Sequence, residues 1–209
     1  YYAAHHVGEL RYHRDELPDL VDSIAQLVDG SSIGVQRLNW SGGYALSLLV
    51  AGRAEDAAHV LDVSVVVGFD DIFVGTASII GWFTEAAWTC GHIDALEACF
   101  DRLGLLSGVD GPLAQNGVHG SATLWSGLAA GGLGRIDDAD GLLAIAAEQF
   151  ARTGMPLFCN LARAFRSRIL SGGGRASRSE AQSLAADASS DAARVGQHRV
   201  SRLVAPVLA

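Results

Sequence analysis

The stretch Gly52-Arg53-Ala54-Glu55-Asp56-Ala57 returns as Gly91-His92-Ile93-Asp94-Ala95-Leu96 and as Gly134-Arg135-Ile136-Asp137-Asp138-Ala139, with a weaker copy at Gly174-Arg175-Ala176-Ser177. The leading glycines thus recur at a nearly constant interval, and a degenerate copy falls one such interval before the first, at His13-Arg14-Asp15-Glu16. A period of roughly forty positions marks a repeat array. Glycine suits the left-handed residue that ends one helix. The acid that follows suits the first turn of the next, where the helix dipole favours negative charge. The string therefore predicts a helix, a tight turn and a second helix.

The flanking residues agree. Tyr44, Leu48 and Leu49 lead to Gly52; Ile80, Phe83 and Ala87 lead to Gly91; Leu124, Leu128 and Leu133 lead to Gly134. After the turns come Ala57, Val60 and Leu61, then Leu96, Phe100 and Leu103, then Ala139, Leu143 and Ala146-Ala147. These are apolar stripes at helical spacing. Seven positions before each glycine stand Ala45, Thr84, Gly127 and Ser167, all small, as two closely approaching helices require. The expected architecture is all-α: a superhelical array of four to five antiparallel helix hairpins, about 1–30, 33–67, 73–107, 113–154 and 157–197. Loops at 68–72 and 107–112 separate units, and Pro18, Pro112 and Pro156 fall near helix starts.

Composition supports this and removes other classes. The 209 residues suit one domain or a run of small repeats. Hydrophobic residues are 49% and charged residues 18%, which excludes disorder. Only 4 prolines are present, which points away from a β-sandwich with its many turns. All 15 basic residues are arginine, a pattern read as codon bias in a high-GC bacterium. Residues 1–150 carry 6 Arg and 20 acids, net −14; residues 151–209 carry 9 Arg and 3 acids, net +6. Such asymmetry predicts either an electrostatically directed contact at the C-terminal end or a solvated arginine-rich helix face. Gly42, Gly43, Gly81, Gly127, Gly131 and Gly132 fall inside first helices, each at a cost of roughly 1 kcal/mol against Ala. Close helix packing would offset it; kinks or fraying are the alternative.

Few residues invite chemistry. A phosphate-binding P-loop needs lysine, and the chain has none. Gly172-Gly173-Gly174 is a loop with no strand before it. Asp138-Ala139-Asp140-Gly141 lacks the acids a calcium loop needs, having Ile136 and Ala147 there. His5, Glu9 and His13 share a helix face and could hold a metal, but the context of a zinc site is missing. Cys90 beside His92, and His119 near Asn116, read as packing and as a polar loop pair rather than nucleophile and base. Cys90, Cys99 and Cys159 are far apart, so reduced thiols and a cytoplasmic location are expected, with no signal peptide before His6. The apolar stretch Ile72–Cys90 is long enough to span a membrane, yet it holds Glu85 and fits the repeat, so it reads as a buried helix. No catalytic residue, metal or cofactor is expected. The absence of an initiating Met suggests a piece of a longer protein.

The pattern resembles the tetratricopeptide (TPR) family. The small residue, the Gly, the Ala five later (Ala57, Ala139) and the apolar residue nine later (Leu61, Phe100, Leu143) fall where that motif places them. The period is longer than is usual for that family and the closing Pro is missing; HEAT-like repeats share the length. A closer resemblance is to the C-terminal helical-repeat region of large bacterial signalling ATPases, of LuxR-type (MalT-like) or adenylate-cyclase-linked regulators. It rests on Leu128–Ala139, Phe150–Pro156, Leu161–Ala164 and the Gly172–Arg175 loop. It implies a non-catalytic regulatory module that binds a protein partner or neighbouring domains, or alternatively a small-molecule effector. In the TPR register Glu85 projects into the concave groove beside Trp88. Asn39, Ser121, Leu124, Leu128 and Arg168 project from the corresponding side of the other first helices. These residues either form a groove site or close the superhelix on itself. Trp40, Trp82 and Trp125 fit core packing between repeats. Nucleic-acid binding would rest on the +6 segment alone, which lacks interleaved aromatics, and is not expected.

Overall fold

A computed structural model describes residues 2–30, 34–67, 77–106 and 120–209, with side chains described from residue 6 onward except at 34–39, 66–67 and 77–79. The expected loops at 68–72 and 107–112, Pro112, Asn116, His119 and the side chains of His5 and Asn39 lie outside the described residues. The described residues form eleven α-helices, one 3-10 turn and no strand. The helices are α1 (Tyr2–His13), α2 (Val21–Asp29), α3 (Gly34–Val50), α4 (Ala54–Val67), α5 (Ala77–Cys90), α6 (Ile93–Gly104), α7 (Ala122–Gly132), α8 (Ile136–Arg152), α9 (Pro156–Ser171), α10 (Arg175–Val195) and α11 (His198–Leu208). The 3-10 turn, Leu17–Leu20, precedes α2.

The repeated glycines end helices as their sequence context predicts. Gly52, Gly91 and Gly134 have φ of 79°, 71° and 75°. The next residue's N–H reaches back across each turn: Arg53 to the Leu48 carbonyl, His92 to Ala87 and Arg135 to Ala130, at 2.8, 2.9 and 2.9 Å. This is the Schellman arrangement, which satisfies carbonyls that the helix end leaves open. Gly154 and Gly196 close α8 and α10 in the same way. The degenerate N-terminal copy also makes the turn, but its left-handed residue is Asp15, at φ 63°, with Glu16 N–H bonded to the Arg11 carbonyl at 2.8 Å. Gly174 differs. It is extended, with φ −66° and ψ 179°, and starts α10 instead of ending α9.

From α2 onward each helix packs on its chain neighbours, whereas α1 meets the 3-10 turn and α11 rather than pairing with α2 as a first hairpin; the first helices of successive units, α3, α5, α7 and α9, also form a row. Ala45, Thr84 and Ser167 are fully buried. Two of the mid-helix glycines, Gly43 and Gly81, receive aromatic rings from the next unit. Trp82 of α5 lies on Gly43 of α3, where a Cβ would come within 2.9 Å of the ring, and Trp125 of α7 lies on Gly81 of α5 still more tightly. Close approach therefore offsets their helix cost. One core runs from Tyr12 to Val207, with a smaller cluster of Ile24, Val28 and Trp40. Helix α11, beyond the last expected hairpin, buries Val200, Leu203, Val204 and Val207 against the array. It packs on α9, α10 and α1, so the first and last helices touch.

Candidate functional site

The N-terminal helix, α5 and the C-terminal helix converge on Glu85. Its carboxylate is fully buried. Tyr12 Oη donates to Glu85 Oε2 at 2.5 Å, and Arg199 Nη2 donates to Glu85 Oε1. Arg199 stands 5.6 Å from the centre of the Tyr12 ring. Asp15, held left-handed at the end of α1, takes Arg202 Nη2 at 2.7 Å and lies 3.6 Å from Arg199 Nη1. Alongside, Gln197 Nε2 donates to the Leu157 carbonyl at 2.8 Å and meets His13 Nδ1 at 3.0 Å. His13 Nε2 is 3.2 Å from Glu9. Residues at three distant points of the chain thus meet in one polar cluster.

The electrostatics follow from burial and charge. Burial raises the Tyr12 phenol well above its ordinary value, the Glu85 charge adds to this, and Arg199 opposes it. Burial acts to lower the Arg199 pKa, but Glu85, Tyr12 and Asp15 outweigh it and the guanidinium is held charged. Asp15 moves up because its partial burial outweighs the pull of Arg199. Several C-terminal arginines thus pair with acids of other helices, and Arg199 does so as a buried side chain. Arg199 and Arg202 face Asp15 and Glu85, Arg166 bridges Asp140 and Glu180, and Arg163 meets Asp191.

Next to this cluster lies a cavity of about 260 Å³. Trp88 and Thr89 of α5 form one side, and Leu46, Leu49 and Val50 of α3 another. Arg168 of α9 and Arg199, Arg202 and Leu203 of α11 complete it. Trp88 is held edge-on against Phe165, with ring centres 5.6 Å apart. Arg168 lies 5.7 Å from the Trp88 ring centre and donates to the Leu203 carbonyl at 3.3 Å. A second cavity, about 330 Å³, is lined by apolar side chains including Leu17, Ile24, Trp40 and Trp82.

The residues expected in a groove separate into three groups. Trp88 and Arg168 line the cavity, and Glu85 lies behind it, bonded to the lining residue Arg199. Leu124 and Leu128 are wholly buried in the core, and Ser121 caps α7, its Oγ accepting from the Leu124 N–H at 3.2 Å. Asn39 falls on α3 with its side chain outside the described residues. Sequence reading missed Tyr12, Asp15, Arg199 and Arg202. The spacing of Val200, Leu203, Val204 and Val207 is the signal that would have placed α11 as a further amphipathic helix. The other chemical candidates have structural places. His92 caps α6, its Nδ1 accepting from Ala95 N–H at 3.3 Å while Nε2 meets Asp62 at 2.9 Å. The Cys90 thiol donates to the Ala86 carbonyl. Asp138 and Asp140 lie in α8, paired with Arg135 and Arg166. Among the described residues no group of three His, Cys, Asp or Glu could hold a metal, and no helix is long and apolar enough to cross a membrane.

Two solved structures have a similar architecture. Both come from a kinesin light chain-like protein of Podosopora anserina built of nearly identical TPR-like repeats, one of them a point variant. They match at TM-scores of 0.54 and 0.53, each 15% identical, over 92% of this chain and 94% and 95% of theirs. The fold is a TPR-like α-solenoid. At this identity the likeness is one of architecture. The chain matches no family model and no curated protein.

Proposed function

We propose that this chain is a non-catalytic interaction module whose partner, a protein or a neighbouring domain of a parent chain, docks around the cavity between α5, α9 and α11. The observation that carries this reading is the grouping of Trp88, Thr89, Arg168 and Arg202 on a stacked helix-pair array. An aromatic and a guanidinium at one partly exposed place are what protein contacts favour. TPR-like arrays commonly mediate protein–protein contact, which supports the reading at the level of the fold. The sequence resemblance to helical-repeat regions of bacterial signalling ATPases and LuxR-type regulators supports a cytoplasmic regulatory setting, with the chain, residues 1–209, as one helical-repeat domain of a larger protein.

A photo-crosslinking amino acid at Thr89, exposed at the cavity, tests this against the same group at Ile145, exposed on α8. In cells making the parent protein, Thr89 is expected to give one discrete adduct that Arg202→Glu removes. Adducts from both positions alike, or from neither, would overturn the reading. A second reading, effector sensing, is favoured by the cavity itself. Its volume of about 260 Å³ approaches the small end of ligand pockets, roughly 300–1,000 Å³.

A further inference from the structure

We propose that the cavity between α3, α5, α9 and α11 binds a small organic carboxylate, the anionic head on Arg168 and the apolar body between Trp88 and the leucines of α3 and α11. The proposal rests on the effector reading above and gives it a ligand class.

Charge comes first. Three arginines line the cavity, Arg168, Arg199 and Arg202, and the carboxylates bonded to them are Glu85 and Asp15. Both acids serve Arg199 and Arg202. No carboxylate among the described residues reaches Arg168, which meets the Leu203 carbonyl and the Trp88 ring instead. The site therefore holds one positive charge in excess, matched by a single negative group. A guanidinium presents its donors as a fork that fits a carboxylate.

A second observation is independent of that count. Arg199 lines the cavity, is 3% exposed, and keeps an Nε–H with no acceptor. A buried donor without a partner costs about 1–3 kcal/mol, a cost that is relieved if the Arg199 side chain shifts to bring Nε–H onto a ligand oxygen. The rest of the lining sets the body of the ligand. Trp88 offers a ring fixed by Phe165, and Leu46, Leu49, Val50 and Leu203 offer aliphatic surface. The volume admits a small aromatic or medium-chain acid. The apolar cavity by Trp40 and Trp82 has no arginine in its lining and supplies the internal comparison.

The full chain is titrated calorimetrically with indole-3-acetate and with octanoate, each against its amide. Saturable binding of at least one acid is expected, with its amide about tenfold weaker, the size of one charge-assisted hydrogen bond. Arg168→Gln is expected to weaken the acid about tenfold, Arg168→Lys less, and Arg175→Gln, in the first turn of α10, not at all. Neither acid binding more tightly than its amide up to about 10 mM, or binding unmoved by Arg168→Gln, would overturn the proposal. A diazirine-bearing octanoate gives a reading that needs no variant: labelled peptides must contain Trp88–Thr89 or Arg202–Leu203, and labelling confined to the Trp40 region overturns the site. Failure of the acids alongside a discrete Thr89 adduct would leave the interaction module standing and remove the ligand. Acid binding without an adduct would do the reverse.

Discussion

Replacing Glu85 with Gln keeps the shape of the side chain and an acceptor for Tyr12 but removes the charge that neutralises Arg199. The Arg199 side chain is buried, with Asp15 as its remaining acid at 3.6 Å. Removing one partner of a buried ion pair costs about 3–5 kcal/mol, because the other charge stays buried. The lower end applies, since Asp15 is retained. For 209 residues the unfolding entropy is about 0.44 kcal/mol/K, so about 3 kcal/mol lowers Tm by about 7 °C. Thermal unfolding followed by far-ultraviolet circular dichroism reads this directly. Arg199→Met should cost a similar amount by stranding Glu85. The double variant should lose clearly less than the sum, because the charges then leave together. A Tm shift under about 2 °C for Glu85→Gln, or strictly additive losses in the double variant, would refute the picture of a buried pair joining α5 to α11.

Three further outcomes are expected. Gly81→Ala drives a methyl into the buried Trp125 ring and should cost about 1–3 kcal/mol in urea unfolding, whereas Gly141→Ala, exposed in α8 with open space around it, should stabilise by about 0.5–1 kcal/mol; equal effects would undo the close-approach argument. Burial raises the Tyr12 phenol, so above its ordinary value of 10.0 the unfolded chain releases a proton that the native chain keeps. Stability then falls with rising pH, by up to about 1.4 kcal/mol per pH unit, and Tyr12→Phe should flatten that slope; an unchanged slope in the variant counts against it. Burial pushes the Cys99 thiol up to about 12, against a small opposing effect of Thr84, so native protein at pH 8 should leave Cys99 unmodified by iodoacetamide while urea exposes it. Peptide mapping that finds Cys99 alkylated in the native protein would contradict its burial.

The hairpins were legible because their determinants are local. A left-handed glycine, an acid in the following turn and a small residue seven positions earlier act within one helix pair, and Gly52, Gly91 and Gly134 behave alike. Gly174 shows the limit, since a similar string there begins a helix instead of ending one. The glycines under Trp82 and Trp125 were visible as a cost in the sequence, but what offsets it comes from the next unit of the array. The site was less legible for the same reason. A repeat register tells which side of its own helix Glu85 occupies; it does not tell that Tyr12 and Arg199 arrive from opposite ends of the chain. Trp88 and Arg168 do share a cavity, whereas Leu124 and Leu128 carry no feature that separates a groove leucine from a core leucine. The charge asymmetry gave the most useful hint of the junction. Part of the positive C-terminal segment lies against Asp15 and Glu85 of the acidic half, and Arg168, which meets no carboxylate among the described residues, also opens on the cavity.

Hydrogen exchange of the wild-type chain and of Glu85→Gln, resolved to peptides, tests the closure of the array most directly. Docking of α1 on α5 and α11 predicts slow exchange at the C-terminal end of α1 and throughout α11 in the wild type. The two helices should lose protection together in Glu85→Gln while α8 to α10 keep theirs. Free exchange of α1 in the wild type, or protection in α1 and α11 indifferent to Glu85→Gln, would contradict the junction on which the cavity depends.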